Sequence, residues 1–297
     1  MSFDVNALPI NKKFSRRLVA PDTWLINPFD PGIATPRPYV LIGDEHALVI
    51  DPTNTRLPLR EYIEACVTDK PLWVADTHSH GDHVDANYMF DDCEFYMSQI
   101  CWDEIQARRA LNDEEGRWIN CERGTYTAHV LKPGDTIDLG NRVIEVLPYV
   151  GCHAPSSLIY FDHKTGTLFT GDELETGQML VMGQPGTKSC VEQLRENVQN
   201  LLDGWGDKIQ RVCPPHNGSP IHPLFLTHLV ENCDRVLSGI DGDPDVRSMS
   251  FMIGPMWENS PMAKKWMEDP NILRSEWQGT SIVYNKTRLH KADIEGE

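Results

Sequence analysis

The chain has 297 residues, of which 40% are hydrophobic and 24% charged, and its formal net charge at pH 7 is −17. This length and composition are typical of a globular protein with one large domain or two modest ones, and no low-complexity tract or internal repeat is evident. So acidic a chain should repel phosphate backbones unless it has a local basic patch, and no run of Lys and Arg is visible. Nucleic acid is therefore not an expected partner.

The N-terminal segment 1–18 has basic residues but lacks an apolar stretch of signal-peptide length. No later run approaches the roughly 18 apolar residues of a membrane span. The eight cysteines are scattered without a Cys-X-X-Cys pair, which suits a reducing compartment better than a disulfide framework. We therefore expect a cytoplasmic protein with no membrane partner.

The first quarter of the chain alternates between strand and helix patterns. Short apolar runs predict strands at 22–26, 39–42, 46–50 and 72–75. Gly43 and the two acidic residues after it predict a tight hairpin, and residues 57–67 have the apolar spacing of a helix. This order, repeated later in the chain, predicts an α/β sandwich of two sheets with outer helices.

The segment 76–87, DTHSHGDHVDAN, follows the last of these strands directly. Four of its side chains can each donate a lone pair to a metal: His78, His80, Asp82 and His83. On an extended chain the first three point to one side, and the fourth joins them only if the chain turns at Gly81. Three histidines and an aspartate within six positions are improbable as a chance surface loop, so the segment predicts a site for zinc, iron or manganese.

The run HSHGDH resembles the His-X-His-X-Asp-His signature of the metallo-β-lactamase superfamily. Further along, His153 in GCHAPSS, Asp172 in LFTGDEL and His216 in PPHNG stand where that family's remaining ligands belong. The resemblance implies the metallo-β-lactamase fold, a four-layer αβ/βα sandwich of two mixed β-sheets with outer helices. We expect this catalytic domain over residues 1–222, with 223–297 as a C-terminal extension packed on the same domain.

The resemblance also implies a chemistry. It assigns one ion to His78, His80 and His153, a second ion to Asp82, His83 and His216, and a bridging role to Asp172. Two zinc ions per chain are expected, with iron or manganese as alternatives, and water bound to such ions drops in pKa from about 15.7 to near 7. Asp82, which could shuttle the proton, and Asp172 are the expected catalytic carboxylates. The implied activity is hydrolysis of an ester, thioester, lactone or amide bond in a small molecule.

Other branches of the family fit less well. Class B β-lactamases have Cys or Ser where this chain has Asp172, so antibiotic hydrolysis is not its expected main activity. The family's nucleases need basic RNA-binding segments that are not visible here. Two alternatives stay open: an oxidoreductase similar to the mononuclear iron persulfide dioxygenases, and a non-catalytic binding protein on the same scaffold.

Three further residues lie near the expected ligands, and two of them have two possible interpretations each. Asp51 ends a predicted strand and either accepts a hydrogen bond from a ligand histidine or caps a turn. Asp85 is either a second carboxylate near the site or a helix N-cap. Cys152 adjoins the ligand His153, and on an extended segment its side chain should point to the opposite face.

The remainder of the chain repeats the alternation of strands and helices. Further strands are predicted at 142–147, 158–161 and 167–170, with a closing edge strand at 281–284. Helices are predicted at the start of 99–131, at 193–202 and at 223–237, and 107–124 is expected to be an irregular loop over the site mouth. The Met and Trp residues between Met249 and Met267 could line a pocket, form a homodimer face or belong to the core.

Overall fold

The computed structural model describes residues 7–29, 36–115, 124–177, 179–182, 188–240, 242, 264–265 and 268–294. The chain divides into two compact units. Unit 1 comprises Met1–Pro148 and Ser156–Gly171, and unit 2 comprises Tyr149–Pro155 and Asp172–Glu297. The domain boundary expected after residue 222 stays a prediction.

The larger sheet of unit 1 contains seven strands that are neighbours in chain order. They are β1 (Phe14–Ala20), β2 (Thr23–Pro28), β3 (Tyr39–Ile42), β4 (Ala47–Ile50), β5 (Leu72–Ala75), β6 (Glu94–Ser98) and β7 (Ala128–Leu131). The pairs from β1 to β4 are antiparallel, and those from β4 to β7 are parallel. The sheet is therefore mixed, and the four strands predicted in this region are confirmed.

Alternation along the strands gives this sheet two apolar faces. Val40, Val49 and Val74 share one buried cluster with helix α1 (Leu59–Cys66) and helix α3 (Gln99–Glu115). In β3 and β4 the residues on either side of Val40 and Val49 point to the opposite face of the sheet, and they are also buried. Strands buried on both faces read as continuous apolar runs, which is why they were evident from the sequence.

The opposite face meets a second sheet of unit 1. Its four strands in this unit are antiparallel neighbours: β8 (Thr136–Asp138), β9 (Val143–Leu147), β10 (Ile159–Asp162) and β11 (Thr167–Phe169). The ring of Phe169 lies edge-on to that of Tyr39 in β3, with centroids 5.0 Å apart. The buried Arg142 guanidinium also links the sheets, because it donates to Thr23 Oγ1 and to Asp162 Oδ2, each at 2.6 Å.

The described residues of unit 2 include two long helices and a three-stranded sheet. Its elements are β12 (Met179–Val181), α4 (Val191–Trp205), β13 (Arg211–Cys213), α5 (Leu224–Leu237), β14 (Ile272–Trp277) and β15 (Thr280–Asn285). Both helices were predicted, and they pack against each other. The fold class is mixed α/β with two large sheets and helices, as expected from the sequence.

Two predictions about single elements are wrong. β15 is not an edge strand, because it lies between β12 and β14 and its apolar residues are buried on both sides. The expected loop from 107 is helical as far as Glu115, since this stretch is rich in Arg, Ala, Leu and Glu, which are strong helix formers.

Several predicted features fall outside the described residues. Residues 116–123, in the second part of the expected loop, are among them, as are the Met and Trp residues from Met249 to Met267. Within the described ranges no helix combines the length and the apolar character needed to cross a membrane.

Candidate metal centre

The first cluster of donors lies in unit 1, directly after β5. The chain is extended as far as His80 (φ −61°, ψ 141°), and the short helix α2 (Gly81–Val84) then begins. The predicted turn at Gly81 is therefore confirmed, and it brings His83 round to the others. The ring centroid of His78 lies 4.6 Å from that of His80 and 4.1 Å from that of His83.

Asp51 orients this segment through hydrogen bonds to Thr77 and His83. Its Oδ1 accepts the backbone N–H of Thr77 at 2.7 Å, and its Oδ2 accepts the Thr77 hydroxyl at 2.8 Å and lies 3.0 Å from His83 Nδ1. Because a carboxylate only accepts, His83 carries a proton on Nδ1, and in the neutral tautomer the lone pair that can bind a metal is on Nε2. The structure thus contains the predicted hydrogen bond to Asp51, and His83 is the histidine that makes it.

The donor atoms are spaced as ligands of a shared ion would be. His83 Nε2 and Asp82 Oδ2 are 3.7 Å apart, which is too long for a hydrogen bond. Two ligands that each lie about 2.1 Å from a tetrahedral zinc ion are roughly 3.4 Å apart. The imidazole and carboxylate donors of unit 1 therefore fit a divalent ion in chemistry and in spacing.

The second group of donors lies in unit 2, on three separate segments. Asp172 belongs to the 3-10 turn Gly171–Glu173, whereas His153 and His216 lie outside helices and strands. Asp172 Oδ2 is 3.6 Å from His153 Nε2, and its Oδ1 is 3.6 Å from His216 Nε2. Each oxygen of one carboxylate therefore faces a different imidazole, the arrangement expected of a bridging ligand.

Cys152 is not part of this donor set. Its Sγ lies 3.6 Å from Val150 O and 3.6 Å from Asn197 Nδ2. Burial, and to a smaller extent the neighbouring carboxylate of Glu173, raise the pKa of the Cys152 thiol well above its ordinary value. The side chain is a buried, protonated thiol at neutral pH and does not supply a thiolate.

Two other histidines lie on the exposed surface and outside the donor groups. His129 is exposed and pairs with Glu94. His163 is exposed in its turn and pairs with Glu145 at 2.7 Å. Asp85, in contrast, is the C-cap of α2 and not an N-cap, because the next turn begins after Ala86.

Four buried side chains that support the ligand segments were missed from the sequence: Thr77, Glu173, Glu175 and Asn197. Thr77 directly precedes the candidate metal-binding motif in the sequence. The acidic residues of GDELE alternate after Asp172, and this alternation was the available signal for Glu173 and Glu175. Nothing local distinguishes Asn197 from other polar residues of an amphipathic helix.

Comparison with solved structures decides the fold. A metallo-β-lactamase from Pontibacter korlensis matches with a TM-score of 0.56 and 17% identity, over 74% of this chain and 99% of that one. DIM-1 metallo-β-lactamase matches with a TM-score of 0.54 and 17% identity, over 75% and 98% of the two chains. This chain has the metallo-β-lactamase fold.

Sequence comparison adds one curated relative of the metallo-β-lactamase-fold chain. The human acyl-coenzyme A thioesterase MBLAC2 is 25% identical over 170 residues, which are 48% of this chain and 59% of that protein. The chain therefore matches less than two thirds of the relative's length. No protein-family model matches the chain.

Proposed function

We propose that this chain is a metal-dependent hydrolase that holds two divalent ions, with zinc as the expected metal. The two donor groups would be His78, His80 and His153 for one ion, and Asp82, His83, Asp172 and His216 for the other. The observation that carries the proposal is the position of the Asp172 carboxylate, whose two oxygens lie 3.6 Å from two different imidazoles. A carboxylate placed in this way can share one ion with each histidine.

The reaction would be hydrolysis of an acyl bond in an ester, thioester, lactone or amide. Divalent ions bound by these donors would lower the pKa of a coordinated water and polarise a carbonyl group. Asp82 would transfer protons to and from solvent, because its side chain is 36% exposed whereas that of His83 is fully buried. Asp51 would keep His83 in the tautomer that binds metal.

We propose a thioester as the first substrate class to test. The support is the activity named for the human relative, an acyl-coenzyme A thioesterase that this chain matches over part of its length. A small molecule is the expected substrate, and the net charge of −17 disfavours a nucleic acid. Cytoplasmic location and a homodimer stay predictions, and light scattering on the purified protein would test the dimer.

The test is a metal analysis of the purified protein together with an activity screen. Thioesters, lactones, aryl esters and a β-lactam reporter would be assayed with zinc, manganese and iron. We expect two ions per chain, hydrolysis that chelation abolishes, and recovery when metal is restored. In His80→Ala and Asp172→Ala, turnover should be lost and bound metal reduced.

His129→Ala is the matched control, because this exposed histidine lies outside the donor set. It should retain both metal and activity. The proposal fails if His80→Ala and Asp172→Ala retain both. A single iron with oxygen uptake would instead indicate the dioxygenase. Full metal occupancy without turnover of any substrate would indicate a binding protein.

A further inference from the structure

The three donors of unit 2 lack the backbone support that a helix or strand would give them. His153 and His216 lie outside such elements, and Asp172 lies in a single 3-10 turn. A metal ligand must be held within about 0.5 Å of its productive position. Side-chain contacts that join these three segments would therefore fix the distances between the donors.

Glu173 provides one such contact. Its carboxylate accepts the backbone N–H of Cys152 at 3.0 Å, that of His153 at 3.1 and 3.2 Å, and that of Ala154 at 3.4 Å. The residue is only 2% exposed. Because Glu173 directly follows Asp172 in the chain, it ties the peptide that carries His153 to the peptide that carries Asp172.

The next acidic residue makes the corresponding contact to the third donor. Glu175 is 6% exposed, and its Oε2 accepts Asn217 Nδ2 at 2.5 Å. Thr176 adds a second link, since its Oγ1 accepts the backbone N–H of Gly218 at 3.1 Å. The segment that follows Asp172 is therefore bonded to the residues directly after His216.

The close approach of these two segments also explains Gly177. A Cβ added at this position would lie 2.0 Å from Asn217 Nδ2, closer than real Cβ atoms come to a neighbour. The glycine therefore allows the chain after Glu175 to run directly against Asn217.

We propose that Glu173 and Glu175 are positioning residues that set the distances between the three donors of unit 2. The inference rests on the proposed function, because it assumes that these donors hold metal. Glu173 acts on His153 through three peptide N–H groups, and Glu175 acts on His216 through Asn217. Neither carboxylate needs to touch an ion for its loss to weaken metal binding.

The decisive variant is Glu173→Gln, which keeps the shape of the side chain. It replaces one acceptor oxygen with an NH₂ group that would face N–H donors. In the metal-free protein we expect amide hydrogen exchange at residues 152–154 to become at least about tenfold faster, since these amides lose one of their two acceptor oxygens. We also expect the dissociation constant for zinc alone to rise by about 10- to 100-fold, with a changed absorption spectrum for bound cobalt.

Glu175→Gln separates the two contacts. It should weaken zinc binding while exchange at residues 152–154 stays at the wild-type rate. Glu192→Gln is the matched control. Glu192 also accepts a backbone N–H, that of Lys291 at 2.8 Å, but in a segment that contains none of the candidate metal-binding side chains. This control should have wild-type zinc affinity and cobalt spectrum. If Glu173→Gln does not fold, Glu173→Asp replaces it as the test. This variant keeps both oxygens on a shorter side chain, and its zinc affinity should be lower than that of the wild type.

A merely structural role would lower the melting temperature and leave the zinc constant and the cobalt spectrum unchanged. That result in Glu173→Gln, or in Glu173→Asp if it is the variant that folds, would overturn the inference while the proposed function stands. If the wild-type protein binds neither zinc nor cobalt, the proposed function fails and the inference fails with it.

Discussion

Asp51 holds Thr77, through its backbone and hydroxyl, and His83, through Nδ1, at the same time. Its own backbone is in the left-handed region (φ 52°), where Asp and Asn are better tolerated than other side chains. The residue therefore combines an unusual backbone with three buried polar contacts. Such a position is sensitive to the chemistry of the side chain more than to its shape.

Asp51→Asn is predicted to weaken zinc binding by about 10- to 100-fold with little change in the backbone, because Asn also tolerates a positive φ. The amide has one acceptor oxygen in place of two, so it cannot bond both Thr77 and His83 as the carboxylate does. Competition with a chelator would measure the zinc constant. A wild-type constant in this variant would show that Asp51 does not orient His83.

At the scale of elements, helix α4 has a polar contact within its buried face. Asn197 is 3% exposed, and its Nδ2 donates to Val150 O at 2.7 Å while its Oδ1 accepts Val150 N at 3.3 Å. The side chain thus pairs with both backbone groups of one residue, as a neighbouring strand would. It supports the segment that leads to His153.

Asn197→Ala is predicted to lower the free energy of unfolding by about 1–3 kcal/mol, because two part-buried hydrogen bonds to the backbone of Val150 are lost. Urea denaturation followed by circular dichroism would measure the change. Asn200→Ala on the exposed side of α4 is the control, and it should stay within about 0.5 kcal/mol of the wild type. Equal effects from the two substitutions would contradict this account of Asn197.

At the scale of the whole molecule, the sheets of unit 1 are joined by apolar packing and by one buried ion pair. The Arg142 guanidinium donates to the backbone oxygens of Asp22 and Ile42 at 2.8 and 3.0 Å, in addition to its bonds to Thr23 and Asp162. Both members of the pair are fully buried. A buried pair is costly to break because the remaining charge is neither paired nor solvated by water.

Arg142→Met is predicted to destabilise the protein by about 3–5 kcal/mol, because it removes the partner of the buried Asp162 carboxylate. Urea denaturation would measure the loss. Arg195→Met is the matched substitution at an exposed pair, since Arg195 joins α4 to Asp234 of α5 at 2.8 Å. Its expected cost from the ion pair is below about 1 kcal/mol. A similar loss in both variants would refute the distinction between them.

Much of the fold was predictable, and the candidate donors could be named, because their signals are local. Strands β2 to β5 are short apolar runs, α1, α4 and α5 have helical periodicity, and the first four donors lie within six positions. The charged edge strand β1 was missed, since its pattern has three exposed residues in a row. The central position of β15 was also missed, because a strand's neighbours are not encoded in its own residues.

By itself, the sequence determined the kinds of donor side chain, their order along the chain and the α/β class, since these depend on residue type and short-range spacing. The tertiary structure alone decided that Asp172 lies between His153 and His216, that Glu173 accepts three amides of the His153 segment, and that Arg142 joins two sheets. The physical reason is that these contacts join residues about 20 to 120 positions apart. Such pairs become neighbours only when burial of the apolar strands and helices brings their segments together.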